Sequence, residues 1–268
     1  MSENQERVTL TIDNHVGVVK FNRPDKMNAL DNEQLAAIIK VGKEIDENPE
    51  IRAVVLAGEG RAFCAGIDVQ AAFASASNGV AALTPRTHGI ANDWQQIAWQ
   101  WHVMQVPVIA AVHGYAYGGG LQIMMGADIR IVAPNTKLSI MEMKWGLIPD
   151  LAGTQLFRRT VREDVIKMLT FTNRVFSGED ALKYGFATEL SKTPFDDAMA
   201  LAHDIAGKSP STIVMAKRVL NDATYLNAEE GLLAESIAQD KLIGSKNQLE
   251  SVFSQMQKRE GQFENYRE

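Results

Sequence analysis

Apolar positions alternate over residues 8–12, break at Asp13 and Asn14, and resume over 16–21, which predicts two strands joined as a hairpin. Asp31 then precedes Leu35, Ile38, Ile39 and Ile45 at helical spacing, with Gln34 as its capping partner. Residues 52–58, after Arg52, and 108–112 are short apolar runs, and 129–132 is another strand holding Arg130, as expected of a buried parallel sheet. Between them, 70–88 reads as loop and 89–105 as helix, with Trp94, Ile97, Ala98 and Trp101 on one face that packs into a core. Strands alternating with helices predict an α/β fold with a mostly parallel sheet. From Gly153 onward the pattern is almost entirely helical. Ser177 with Asp180 opens one helix, and Ser209-Pro210 opens another running to Asn221. Two more follow near 228–243 and 246–260. No linker or internal repeat interrupts the chain. The division expected is a core over 1–200 and a helical appendage over 201–268.

Charge changes this picture in one place. The chain of 268 residues carries 27 Lys+Arg against 33 Asp+Glu, yet residues 94–127 contain none of them. A membrane span is the first explanation to test. The window holds Gln95, Gln96, Gln100, Gln105 and Gln122, two histidines, Pro107 and the triplet Gly118–Gly120. That composition suits lipid poorly, and the glycines would break a continuous helix. A deeply buried stretch of a globular protein is the expectation. The polar N-terminus shows no signal or transit pattern, so a cytoplasmic location is expected. A single cysteine, Cys64, excludes an internal disulfide and a cysteine zinc site. A net charge of −6 without a basic block argues against nucleic acid as partner.

Most nucleotide and nucleophile motifs fail here. Gly207-Lys208-Ser209 has the tail of a phosphate-binding loop, but position 202 is Ala where that motif needs glycine. No dinucleotide fingerprint, nucleophile elbow or clustered metal ligands occur. Three segments remain, each a strand end running into a turn: RAFCAGID at 61–68, AVHGYAYGGGLQ at 111–122 and SIMEMKWGLIPDLAGT at 139–154. Glycines at such junctions let backbone approach a ligand, and a helix opening at the triplet adds its positive dipole end. Two such turns face to face would make a two-amide oxyanion site for a carbonyl becoming an enolate, each donor being worth about 2.7–4 kcal/mol. Glu142 and Asp150 could move protons beside that enolate. Glu142 sits among apolar residues, where an unpaired carboxylate is costly, which marks it as functional. Asp68 and Asp150 each precede helices and can equally be caps. Cys64 reads as a small buried hydrophobe.

Together with NRPDKMNAL at 22–30, KSPS at 208–211 and AKRVL at 216–220, these segments resemble the crotonase (enoyl-CoA hydratase/isomerase) superfamily over nearly the whole chain. The resemblance implies a spiral of ββα units with a C-terminal helical trimerisation region, assembled as a homotrimer or dimer of trimers. It implies an acyl-CoA thioester substrate, no separate cofactor and no metal. The oxyanion donors would be the amides of Ile67 and Gly119. Substrate contacts would run along Lys26, Met27 and Ala29, along Ala62, Cys64, Ala65, Gly66 and Asp68, and past Gly118, Gln122 and Leu147. Family hydratases carry glutamates at the positions of both Glu142 and Gln122, and a glutamine cannot take a proton from water. Asp150 falls where certain family isomerases carry a second catalytic aspartate. The expectation is therefore a double-bond isomerase using Glu142 and Asp150. A hydratase using Glu142 alone and a non-catalytic acyl-CoA-binding protein stand as alternatives.

Overall fold

The computed structural model describes residues 6–76 and 82–268. The chain opens with the expected hairpin of β1 (Val8–Asp13) and β2 (Val16–Phe21), followed by α1 (Asn32–Glu47), where Asp31 accepts the Gln34 amide at 2.8 Å. Next come β3 (Ala53–Gly58), α2 (Val69–Ala76), α3 (Asp93–Val103) and β4 (Val108–Val112). The middle of the chain holds β5 (Tyr115–Tyr117), α4 (Gly119–Gly126), β6 (Ile129–Val132) and β7 (Lys137–Ser139). Then follow α5 (Gly153–Phe157), α6 (Glu163–Thr172), β8 (Phe176–Ser177), α7 (Gly178–Tyr184) and β9 (Glu189–Leu190). The chain finishes with α8 (Pro194–Ala206), α9 (Pro210–Asp222), α10 (Ala228–Leu242) and α11 (Lys246–Gln257).

Six strands form one sheet in the order β1-β2-β3-β4-β6-β9, parallel except for the opening hairpin. A second sheet, β5-β7-β8, stands apart from it. Successive side chains of a strand point to opposite faces, and β3 and β4 are apolar on both. Val54, Leu56, Val108, Ala110 and Val112 join the large core, which also takes in Ile38 of α1 and Trp101 of α3. Ala53, Val55, Ala57, Ile109 and Ala111 face the other way, onto Ala198, Ala202 and Ala206 of α8. The alanine stripe lets α8 lie close to the sheet. This two-sided burial explains the unbroken apolar runs.

The uncharged window becomes α3, β4, β5 and α4, and every residue of α4 is buried. Among the described residues no helix is long and apolar enough to cross a membrane. Trp101, Ile97 and Ala98 are fully buried core residues.

Four expectations need correction. The loop expected over 70–88 begins with α2, whose alanine-rich start is held by the Ala71 amide donating to Asp68; residues 77–81 lie outside those described. The helix expected from 89 starts at Asp93, because Asn92 and Gln95 form a reciprocal capping box and 87–91 close a turn with Gly89 at positive φ. The region after Gly153 contains two strands of two residues each, β8 and β9, too short to leave a period in sequence. Asp150 is no helix cap, since α5 is entered through Ala152 in the left-handed region without a side-chain cap.

The C-terminal segment folds back on the core. Arg267 Nη2 lies within 3.3 Å of the carbonyls of Ile45, Asn48 and Ile51, closing the end of α1. Lys217 of α9 is buried against Asp128 at 2.7 Å, and Arg159 reaches both Asn221 and His102. A guanidinium only donates, so His102 Nε2, 2.6 Å away, accepts and the ring is neutral. Burial, then Arg159 and Lys217, push this histidine down to about 4. The unfolded chain therefore binds the extra proton between about pH 6.5 and 4, and stability falls as pH drops through that window. We expect His102→Gln to remove about 1–3 kcal/mol of this pH dependence, read as the difference between urea-unfolding free energies of the two proteins at pH 7 and pH 4.5.

Candidate active site

Two glycine turns meet beside the buried carboxylate. The first follows β3. Asn28 is fully buried, and its Nδ2 donates to Ala62 and Glu59 carbonyls while its Oδ1 accepts the Arg23 amide, so a polar side chain ties residues 22–30 to 59–63. Arg23 lies 3.2 Å from Asp31 and 3.0 Å from Asp68, and Asp68 caps α2. Burial would raise the Asp68 carboxyl, but the Ala71 amide and Arg23 outweigh it and hold the group below its ordinary range. Leu30 donates to the Gly66 carbonyl and accepts from the Asp68 amide, which brackets Ile67. The Ile67 amide donates to no protein acceptor among the described residues.

The second turn follows β5. Gly118 has φ 49° and ψ −117°, a conformation that favours glycine, and its amide donates to the Ser139 carbonyl of β7. Gly119 then opens α4 with its amide outside the helical ladder. Gly66 has φ +85°, and a Cβ there would stand 2.6 Å from the Tyr117 carbonyl and 3.5 Å from the Gly119 nitrogen. The two turns thus touch, and Ile67 and Gly119 both line one cavity of about 470 Å³.

Glu142 enters that cavity from a 3-10 turn (Glu142–Trp145) after β7, closed by Gly146 in the left-handed region. It is 5% exposed. Its Oε1 accepts from Gln122 Nε2 at 2.6 Å, and Gln122 Oε1 accepts from the Gly153 amide at 2.9 Å. Glu142 Oε2 is buried and has no hydrogen-bond partner among the described residues. Burial raises the Glu142 carboxyl first, the charge of Asp150 raises it further, and backbone and Gln122 donors pull the other way. A carboxyl raised in this way sits nearer neutral pH, where it both takes and returns protons.

The expected residues fall into four groups. Ala65, Gly66, Ile67, Gly118, Gly119, Glu142 and Leu147 line the cavity. Ala29, Ala62, Cys64 and Gln122 are buried behind it. Lys26 is exposed, Met27 is in the left-handed region with its carbonyl taking the Ala65 amide, and Asp68 is held by Arg23. Asp150 lines a neighbouring pocket of about 260 Å³ with Arg86 and Trp99, where burial raises its carboxyl. Burial pushes the Cys64 thiol up to about 12, and it donates to the Asn28 carbonyl, so it is no nucleophile. Val69, Ala72, Tyr117, Met141, Lys144 and Trp145 also line the cavity, and sequence reasoning missed them. Ala72 fell within the stretch expected as loop and Val69 just before it, whereas Tyr117, which ends β5 next to the glycine triplet, was a signal to be had. Among the described residues no cluster could hold a metal ion.

An α/β fold that brings two glycine turns beside a buried carboxylate defines the class of protein to which this chain compares. The chain belongs to the enoyl-CoA hydratase/isomerase family, whose sequence profile matches residues 11–266. It is 32% identical over 233 residues to an (E)-benzylidenesuccinyl-CoA hydratase of Thauera aromatica, covering 84% of this chain and 86% of that one. A short-chain-enoyl-CoA hydratase of Clostridium acetobutylicum is 29% identical over 255 residues, 94% and 95% of the two chains. The crystal structure of an enoyl-CoA hydratase from Bacillus anthracis superposes with a TM-score of 0.86 at 26% identity, over 96% of this chain and 98% of that one.

Gly66→Ala should destabilise the fold by about 1–3 kcal/mol, since it combines a left-handed backbone with a carbonyl clash. Urea unfolding checks this, and an unchanged midpoint would show that the two turns are not in contact.

Proposed function

We propose that this protein is an acyl-CoA thioester enzyme that shifts a double bond through an enolate. The thioester oxygen lies between the amides of Ile67 and Gly119. Glu142 Oε2 takes a proton from the carbon next to the thioester of a 3-enoyl-CoA. The electron pair moves onto the thioester oxygen, and the enolate collapses as a proton is delivered to the far carbon of the former double bond, giving the 2-enoyl-CoA. Atoms and charge balance without a cofactor, coenzyme A being part of the substrate. Asp150 is the second proton-transfer group, coupled electrostatically to Glu142 from the adjoining pocket.

The observation that carries this reading is Gln122. It is fully buried, with its NH₂ on Glu142 and its carbonyl on Gly153, and it has no carboxylate to take a proton from a reacting water. Hydration by Glu142 alone is the second reading, favoured by the relatives named as hydratases. Coenzyme A would run along Lys26, Met27 and Ala29 and past Ala62–Gly66, of which Lys26 is exposed and Ala65 and Gly66 line the cavity. Exposed Leu232, Leu233, Phe253 and Met256 on α10 and α11 support assembly through the helical region 201–268, as a homotrimer or dimer of trimers. A cytoplasmic location fits this chemistry.

Supplied with 2-enoyl- and 3-enoyl-CoA esters, the protein is expected to interconvert them, followed by proton NMR, with mass spectrometry reporting any water added. Glu142→Gln should lower turnover by about 10²–10⁴-fold while ester binding persists. Fast incorporation of solvent oxygen would favour the hydratase instead, and binding without turnover across chain lengths would overturn both enzymatic readings.

A further inference from the structure

Gln122 does more than lack a carboxylate. Its orientation follows from hydrogen-bond polarity alone. The Gly153 amide is a donor whatever the pH, so the Gln122 atom 2.9 Å from it is the carbonyl oxygen. The NH₂ must then face Glu142, 2.6 Å from Oε1. The amide cannot turn over, because that would set donor against donor at Gly153.

Packing closes the same path. A Cβ on Gly153 would stand 2.4 Å from Gln122 Oε1, and one on Gly118 would stand 3.2 Å from Glu142 Oε1. Two glycines thus let the chain approach both ends of the pair. Glu142 Oε1 is boxed in, and Oε2 is the buried oxygen left without a protein partner.

We propose that Gln122 is a positioning residue, held by the Gly153 amide, that pins Glu142 Oε1 and leaves Oε2 as the single oxygen through which Glu142 exchanges protons. This rests on the reading of Glu142 as the acid/base. A glutamate at 122 would accept from Gly153 with one oxygen and bring the other against Glu142 Oε1. Two carboxylates at that separation share a proton and titrate as a dyad. With glutamine, Glu142 titrates as one group, its charged form favoured by the Gln122 donor.

The groups around Glu142 allow that behaviour to be read. Asp150 faces it from the turn before α5. Lys144, from its own turn, and Tyr117, from β5, line the cavity. Charged side chains of α6 pair elsewhere, Lys167 with Glu163 and Asp164 with Arg162, and α4 carries no charge.

The test uses the full-length protein with ¹³C-labelled glutamate and ¹⁵N-labelled glutamine, the Glu142 and Gln122 signals being assigned by their loss in Glu142→Gln and Gln122→Met. In the unmodified protein the Gln122 NH₂ resonance should move with the same midpoint as the Glu142 carboxyl. Gln122→Met should raise that midpoint by about one pH unit, because a donor to the charged form is gone. Gly153→Ala should raise it too, yet add nothing when combined with Gln122→Met. Gln122→Glu should split the titration into two coupled steps. Where 3-enoyl-CoA is turned over, the acid limb of kcat/KM should move to higher pH in step with each midpoint. A Gln122 resonance that ignores Glu142, or a midpoint unmoved in folded Gln122→Met, would overturn the proposal. Because the titration needs no turnover, a protein inactive on every ester but with the expected coupling would defeat the proposed function and leave the positioning role standing.

Discussion

The burial of one carboxylate organises this site. Glu142 is 5% exposed, and a charge taken out of water needs compensation. A hydrogen bond from Gln122 supplies part of it at Oε1, beside backbone donors of Glu142 and Met141. That bond is possible only because Gly118 and Gly153 carry no side chains and because the Gly153 amide orients the glutamine. Residues far apart in the chain are thus tied to one oxygen atom. The other oxygen is buried without a hydrogen-bond partner among the described residues, and burial raises the carboxyl's affinity for protons.

The rest of the fold delivers these pieces. β3 and β4 are buried on both faces, so the turns that follow them are anchored in the core. The Ile67 turn follows the first, and the Gly119 turn follows the second after a short excursion through β5. Asn28 and Arg23 brace the first turn through carbonyls and two aspartates. Pairing of β5 with β7 carries the chain from Gly118 to the turn that holds Glu142.

Much of this was legible in the sequence for definite reasons. Long periodic features read correctly: the hairpin, α1 with its Asp31 cap, the buried strands, and the helical C-terminal third. Gly118, Gly119 and Glu142, singled out in the sequence, come together on the lining of one cavity. What sequence did not reveal lies at short range or across the chain. β5, β7, β8 and β9 have two or three residues each and leave no period. The start of α3 depended on a capping box, and α2 was hidden in a stretch whose alanines suit helix and loop alike. Asp150 stands eight positions after Glu142, which puts the two carboxyls on adjoining pockets; the spacing alone could not separate that from a shared cavity. The role of Gln122 needed Gly153, 31 residues away, to orient its amide.

The central claim is that Glu142 moves protons on a thioester-stabilised enolate, and exchange with heavy water tests it most directly. A 3-enoyl-CoA incubated with the protein in D₂O and followed by proton NMR should gain deuterium on the carbons flanking the migrating double bond as the 2-enoyl isomer appears, and Glu142→Gln should stop both. Bound ester that neither exchanges nor isomerises, or exchange that survives in Glu142→Gln, would contradict it.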